Sequence, residues 1–165
     1  MTGIEQEQAA PAAGKKDQHQ YLTFTLGDEE YGIEILRVQE IKGYSAVTSI
    51  PNAPPWIKGV MNLRGTVVPV VDLRVKFGMG APKYDRFTVV IMVMVGARVV
   101  GAVVDGVSDV MDVSAADWVP APEMGADIDT SFLTGIAKQG DRLISLLEIE
   151  RVVGMGAELE AALAA

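Results

Sequence analysis

The sequence predicts an all-β fold with a few short helices, and three observations support this class. β-Branched residues alternate with other residues in runs such as "YLTFTLG", "FTVVIMVMVG" and "RVVGAVVDGVSDVM". A period of two is typical of strands that bury one face. Glycine, aspartate or asparagine interrupts these runs, which is the composition of tight turns. The same series of strands and turns also occurs twice along the chain, as a repeated β module requires.

The turns and short helices can be placed in order along the chain. Gly27 and Asp28 separate two alternating runs, so we predict a hairpin there. The stretch "GVMNLRGTVVPVVDLR" predicts a second hairpin that turns at Arg64 and Gly65. Because Pro69 has no N–H to donate, we expect the second strand of this hairpin to lie at a sheet edge or to face a gap. Short helical segments are predicted at Ile35–Val38, Leu73–Phe77 and Ile149–Val153.

The internal repeat is the most informative feature of the sequence. A shift of 69 positions aligns Phe24 with Val93, Gly27 with Gly96, Gly32 with Gly101, Ile35 with Val104, Val38 with Val107, Glu40 with Asp109, Ile41 with Val110 and Pro51 with Pro120. A shift of 76 positions aligns Gly59 with Gly135, Val60 with Ile136, Val68 with Ile144, Val71 with Leu147, Asp72 with Glu148, Leu73 with Ile149 and Gly78 with Gly154. Chance alignment of two Val- and Gly-rich segments is the alternative, but glycines and acids match as well as apolar residues. Since each copy has only roughly sixty residues, which is marginal for independent stability, we expect two similar β modules that share one core.

Composition limits the classes of partner. The chain has 165 residues, of which 49% are hydrophobic, and a net charge of −8. Its mean hydropathy is +0.24 and its pI is near 4.6. This acidity disfavours nucleic acid and anionic membranes as partners, because both attract surfaces rich in Lys and Arg. No apolar run reaches the roughly 18 residues of a spanning helix, and there is no cysteine for a disulfide framework, so a cytoplasmic location is expected.

Both ends of the chain differ in composition from the middle. Residues 1–20 are rich in Gln, Ala and Lys and have no apolar periodicity, so we expect a disordered tail before a fold that begins near Tyr21. The folded domain is expected over residues 21–154. Residues 155–165 have high helix propensity and are expected to form a short tail or a helix extension.

Catalytic chemistry has little basis in the sequence. The only histidine is His19, in the expected tail, and no serine stands in a nucleophile elbow. The loop "FGMGAPK" lacks the Gly-Lys-Ser/Thr ending of a phosphate-binding loop, and no cofactor is expected. Asp105, Asp109 and Asp112 could surround a divalent cation, but their spacing fits no known metal-binding loop and solvated surface acids are the favoured reading. Asp72 and Glu148 precede short helical segments and are expected to cap them.

Arg64 remains as a candidate for recognition. It precedes a turn glycine at the rim of an apolar hairpin, and a guanidinium at the edge of an apolar surface is common in protein interfaces. The alternative is that Arg64 pairs with a nearby acid such as Glu40 or Asp72.

Several long motifs together resemble one family. They are "TLGDEEYGIEILRVQEIKGY", "IPNAPPWIKGVMNLRGTVVPVVDLR", "RVVGAVVDGVSDVM" and "PAPE" followed by "FLTGIAKQGDRLISLLEIE", between about Tyr21 and Gly154. In this order they resemble the bacterial chemotaxis coupling proteins, the CheW family. The resemblance implies two intertwined five-stranded β-barrels similar to SH3 domains. It also implies a non-catalytic adaptor that joins the cytoplasmic tips of chemoreceptors to the regulatory domain of the histidine kinase CheA, in membrane-associated arrays and without direct membrane insertion.

The same resemblance implies two binding surfaces. The residues implied to face the receptor are Ile35, Val38, Glu40, Arg64 and Val104. Those implied to face the kinase are Pro120, Glu123 and Met124. Val119 stands where family members often have a basic residue, so an electrostatic contact there is expected to be replaced by apolar packing. Two other functions are considered: a binding domain detached from a larger signalling protein, and a metal-dependent hydrolase that uses the Asp105 cluster.

Overall fold

The computed structural model describes residues 18–45, 47–79, 84–120 and 132–153, and within them the chain forms eleven strands, two short α-helices and two 3₁₀ turns. The strands of the first half are β1 (Gln18–Leu26), β2 (Glu29–Glu34), β3 (Val38–Gly43), β4 (Ile57–Leu63) and β5 (Thr66–Asp72). Those of the second half are β6 (Val89–Val95), β7 (Arg98–Val104), β8 (Gly106–Ser114), β9 (Trp118–Val119), β10 (Leu133–Gln139) and β11 (Arg142–Leu147). The helices are α1 (Leu73–Lys76) and α2 (Ile149–Val153), and the 3₁₀ turns are Ile35–Arg37 and Ala115–Asp117.

The predicted all-β class with short helices is confirmed. The hairpins turn at Gly27-Asp28 and at Arg64-Gly65, and helical turns begin at Ile35, Leu73 and Ile149 as the sequence predicts. Strand β1 begins at Gln18, three residues before the expected start of the fold at Tyr21. The rest of the expected N-terminal tail and the expected tail of residues 155–165 lie outside the described residues.

Two sheets carry the fold, and each takes strands from both halves of the chain. Sheet A has the order β9-β10-β11-β2-β1-β8, and sheet B has the order β3-β6-β7-β5-β4. Under the repeat, β1 to β5 correspond to β6, β7, β8, β10 and β11, so the two orders are the same apart from the additional β9. Each half therefore gives its first hairpin to the sheet that holds the later strands of the other half. The two halves are intertwined by this exchange.

Individual pairings agree with the repeat. The parallel pair Leu146↔Gly32 in sheet A corresponds to Val70↔Gly101 in sheet B. Before each helix, the same backbone bond recurs: the Asp72 N–H donates to Trp56 O and the Glu148 N–H donates to Phe132 O, both at 2.7 Å. The repeat therefore extends from the sequence to the hydrogen bonds.

The two edges of each sheet are also connected to each other. In sheet B, Thr48 lies a few residues beyond β3 and bridges Val60 on β4, the strand at the opposite edge. In sheet A, one 3₁₀ turn links β8 to β9, and β9 pairs with β10. The two edges are thus joined by a bridge in sheet B and by the chain in sheet A, which is compatible with the two predicted barrels.

A shared apolar core lies between the sheets. Leu22, Phe24 and Ile33 of sheet A pack in one cluster with Val71, Ile91 and Val104 of sheet B, and both α-helices contribute to it. A smaller cluster is built from sheet B alone, around Val68 and Met92, and another from sheet A, around Ile144 and Leu146. The largest buried cluster therefore belongs to neither half alone.

The expectation for Pro69 is corrected in part. Its strand β5 lies between β7 and β4, so it is not an edge strand. Pro69 pairs with Val60, whose own N–H and C=O are bonded to Thr48 on the other side, so the pair requires no donor from the proline. The parallel pairing with β7 begins only at Val70. Proline fits here because it precedes that ladder.

Replacing Gly101 by alanine tests how closely β7 is packed. A Cβ at Gly101 would lie 2.7 Å from Val90 Cγ1, and Val90 is fully buried. We expect Gly101→Ala to lower the free energy of unfolding by about 1–3 kcal/mol, because overpacking forces neighbouring side chains to move. Gly43→Ala is the control, since nothing lies within 4 Å of its added Cβ. Equal urea midpoints for the two variants would contradict the packing argument.

Candidate functional site

The turn between β4 and β5 holds an arginine in an unusual backbone conformation. Arg64 and Gly65 have φ angles of 50° and 84°, and the Asn62 side-chain oxygen accepts a hydrogen bond from the Gly65 N–H at 2.9 Å. Two positive φ angles in a two-residue hairpin loop suit Gly, Asn or Asp. A longer side chain in this region costs about 1–2 kcal/mol. Turn geometry therefore does not explain why residue 64 is an arginine.

The Arg64 side chain pairs with Glu40 on β3, the strand at the opposite edge of sheet B from β4. Arg64 Nη2 lies 2.6 Å from Glu40 Oε1, and the two side chains are 71% and 29% exposed. The hydrogen bond from Arg64 and its positive charge hold the pKa of Glu40 below its ordinary value. An ion pair this open to water contributes little to stability. Of the two acids considered from sequence, Glu40 is the partner of Arg64.

Asp72 has a different role. Its side chain is buried, accepts a hydrogen bond from the Tyr84 hydroxyl at 2.6 Å and accepts another from the Val75 N–H at 3.3 Å. The bond to Val75 confirms the predicted cap of α1. Because Asp72 is enclosed, it does not compete with Glu40 for Arg64.

Apolar residues lie near Glu40 and Arg64 along the chain. Ile35 and Val38 are half-buried and pack against the shared core. Leu36, between them on the 3₁₀ turn, is 89% exposed. Val67, two residues beyond the Arg64-Gly65 turn, is also exposed. An exposed charged pair beside exposed apolar side chains is the usual composition of a protein-binding surface.

Val104 is a correction. It was expected to contribute to the same surface as Glu40, but it is 1% exposed and packs in the shared core. It is the last residue of β7, and its side chain faces the neighbouring sheet. Val104 is therefore a core residue in this structure and is not exposed beside Glu40.

Comparison with known proteins identifies the family. The family model described as CheW-like domain matches residues 20–156. The chain belongs to the CheW family. It is 52% identical to a chemotaxis protein CheW of Klebsiella aerogenes over 141 residues, covering 86% of this chain and 85% of that one. It is 40% identical to the CheW of Rhizobium meliloti, covering 79% and 84% of the two chains.

A solved structure shows the same fold. The scaffolding protein TtCheW from Thermoanaerobacter tengcongensis superposes with a TM-score of 0.76 at 33% identity, covering 81% of this chain and 86% of that chain. Within the part of the chain that is described, no helix is long and apolar enough to cross a membrane.

The residues implied to face the kinase are only partly described. Pro120 is exposed and directly follows β9, whose residues Trp118 and Val119 are exposed too. Glu123 and Met124 lie outside the described residues. The described part of this surface is therefore apolar and includes an aromatic side chain.

The acids considered as metal ligands have other partners. Asp105 accepts bonds from Arg74 at 2.8 Å and from the Gly27 N–H at 2.7 Å. The Thr23 hydroxyl and Arg142 donate to Asp109, and these bonds hold the pKa of Asp109 below its ordinary value. Within the described residues, no three His, Asp or Glu side chains are grouped to hold a metal ion. The Asp105 cluster is thus divided between separate ion pairs.

Arg142 was not identified from the sequence, although the repeat contains a signal for it. The repeat aligns Glu40 with Asp109, and Arg142 Nη2 lies 3.3 Å from Asp109 Oδ1 at the second hairpin, β10–β11. Arg142 also pairs with Glu30 at 2.9 Å. Two carboxylates thus neutralise Arg142, whereas Glu40 is the one acid paired with Arg64 among the described residues. Of these two arginines, Arg64 is the more available to a partner.

Proposed function

We propose that this CheW-family protein is a non-catalytic adaptor that joins the cytoplasmic tips of chemoreceptors to the regulatory domain of the histidine kinase CheA. In this role it lets receptors control autophosphorylation of the kinase. Family membership over residues 20–156 supports the proposal, as does the likeness to a protein described as a scaffolding protein. We further propose that it acts in the cytoplasm, at membrane-associated receptor arrays.

The receptor is proposed to bind at Glu40 and Arg64, with Ile35 and Val38 beside them. One observation carries this assignment: an exposed arginine occupies a left-handed turn position that arginine disfavours. The salt bridge to Glu40 holds the guanidinium in one direction, which reduces the conformational entropy lost on binding. A receptor segment with its own carboxylate and apolar side chains would suit this surface.

The kinase is proposed to bind on the other sheet, at the exposed strand β9 and Pro120, with Glu123 and Met124 as further expected contacts. Exposed Trp118 and Val119 support this choice, because aromatic and apolar side chains dominate the centres of protein interfaces. Val119, in place of a basic residue, makes this contact apolar.

Reconstitution with receptor and kinase tests the adaptor function. We expect the purified protein alone to have no kinase, phosphatase or hydrolase activity, and we expect its addition to receptor-containing membranes and CheA to raise kinase autophosphorylation strongly. Kinase mixed with adaptor but without receptor is the control. Equal autophosphorylation with and without the adaptor, over a range of receptor preparations, would refute the proposal.

A further inference from the structure

A cavity of about 430 Å³ opens on sheet A. The six lining residues that matter here are His19, Tyr21, Glu34, Val113, Trp118 and Thr134. They come from β1, β2, β8, β9 and β10. The volume is in the range of sites that hold small molecules or single side chains.

The cavity combines negative charge with aromatic rings. The Glu34 carboxylate is exposed and makes no hydrogen bond or ion pair with the described residues. Arg37 lies close enough to interact electrostatically with Glu34, but its guanidinium is bonded to Glu150 at 2.9 Å. Burial raises the pKa of Tyr21, and the negative charges of Glu34 and Glu148 raise it further. The negative charge of Glu34 favours a positively charged guest. The aromatic rings of Tyr21 and Trp118 favour one too, because aromatic faces attract cations.

The other half of the molecule provides an internal comparison. In the repeat, Thr134 corresponds to Lys58, the second residue of β4. The Lys58 ammonium lies 4.8 Å from the centre of the Tyr84 ring, and Tyr84 stacks on Tyr44 at 4.4 Å. Sheet B therefore places its own ammonium on an aromatic pair. Sheet A has a threonine in the place of this lysine and a cavity beside it.

The fold does not require the polar lining of the cavity. Under the shift of 69 positions, Tyr21 corresponds to Val90 and Glu34 to Val103, and both valines are buried in the sheet B cluster. A buried valine at each of these two positions is therefore compatible with the fold. In sheet A the chain instead carries a phenol and a carboxylate that line an open space.

A glycine leaves the space in which the Trp118 indole lies at the cavity. A Cβ at Gly135 would collide with the Trp118 indole, so only glycine allows the indole to lie where it does. Gly135 corresponds to Gly59, but the sequence around Thr48, which bridges β4 in the other half, contains no tryptophan. The indole is thus particular to this cavity.

We propose that the cavity binds an organic cation, an ammonium or guanidinium group carried on a short apolar stem. The cation would pair with Glu34 and pack against Tyr21 and Trp118, in the place that the Lys58 ammonium has in sheet B. The same chemistry is offered by a free amine and by a lysine or arginine side chain of a partner protein. This binding does not depend on Glu40 or Arg64. It shares Trp118 with the surface proposed for the kinase, but it is measured on the chain alone, so its result is independent of the adaptor proposal.

NMR titration of the full chain tests the proposal. The chain has two tryptophans, so Trp118→Phe assigns the two indole N–H signals. We expect n-butylammonium to give a saturable shift of the Trp118 indole and of the Tyr21 and Glu34 amides. Equal concentrations of 1-butanol, which has the same stem without the charge, and of pentanoate, which has the same stem with a negative charge, should give no saturable shift. Saturation by butanol at the same concentration, or no saturation by butylammonium, would overturn the proposal.

Two variants and one control locate the charge. Glu34→Gln should weaken butylammonium binding about tenfold or more, and Thr134→Lys should abolish it by supplying the ammonium that sheet B has. Glu29→Gln removes another exposed carboxylate from β2 and should bind like the parent protein. Parent-like binding by Glu34→Gln would overturn the proposal. Much tighter binding of Nα-acetyl-lysine methylamide, whose side-chain ammonium is free, than of butylammonium would identify a protein side chain as the guest. Equal binding of the two would identify a free amine. Either result supports cation binding.

Discussion

Deleting the chain from Ala115 onward is expected to leave a fragment that does not fold. The deletion removes β9, β10, β11 and α2, so sheet A retains only β2, β1 and β8. The shared core loses Leu147, Ile149, Val152 and Val153. Fully burying such side chains contributes about 1.5–3 kcal/mol each, so their loss alone approaches the whole stability of a typical domain, about 5–15 kcal/mol.

A shorter fragment, residues 21–81, is also expected not to fold, because it loses strands that belong inside a sheet. Residues 21–81 keep most of β1 and all of β2 to β5 but lose β6 and β7, which lie between β3 and β5 in sheet B. We expect both fragments to show no cooperative thermal transition by circular dichroism and to give poorly dispersed amide spectra, with the full chain as the control. A sharp cooperative melt of the 21–81 fragment would show that one half folds alone and that the shared core is dispensable.

The sequence predicted the local structure of this protein better than its long-range pairing. Alternation and turn residues are local signals, so the hairpins at Gly27-Asp28 and Arg64-Gly65 and the short helices were correctly placed. The repeat predicted two similar units. The exchange of first hairpins was implied only by the family resemblance, because periodicity says which face a residue occupies and not which strand lies beside it.

The predictions for Pro69 and Val104 were wrong because both depend on tertiary packing, which local sequence patterns do not report. Pro69 indicates an edge strand or a gap because it has no N–H to donate, whereas the structure places β5 between two neighbours and starts the ladder with β7 one residue later. Val104 was assigned to a surface by resemblance, but the sheet-to-sheet packing that buries it is a tertiary feature. The cavity residues also could not be grouped from sequence, since His19, Glu34 and Trp118 are brought together only by pairing between the two halves.

Arg64 is the residue for which binding and folding should separate most clearly. Its side chain is exposed and its ion pair with Glu40 is open to water, so Arg64→Ala should melt within a few degrees of the parent protein. Receptor coupling should weaken about tenfold or more, because truncating a charged group at the centre of an interface is costly. Glu40→Ala should behave similarly, since it removes the group that orients the guanidinium.

At the adjacent position, Gly65→Val is expected to lower stability while retaining the charge that is proposed to bind the receptor. Gly65 has a φ of 84° and an added Cβ would meet nothing within 4 Å. Its replacement is therefore strained through the backbone alone, by about 1–3 kcal/mol. We expect Gly65→Val to lower the melting temperature while leaving the Arg64 charge in place. Similar melting curves for Gly65→Val and Arg64→Ala would contradict this division between folding and binding.

The most direct measurement is a receptor-binding titration of Arg64→Asn. Asparagine suits the left-handed turn position better than arginine, so this variant should fold at least as well as the parent protein. It also removes the guanidinium. The account predicts a melting temperature equal to or above that of the parent, with receptor affinity lowered about tenfold or more. Parent-like receptor affinity in this stable variant would show that Arg64 is not a binding residue and would contradict the account.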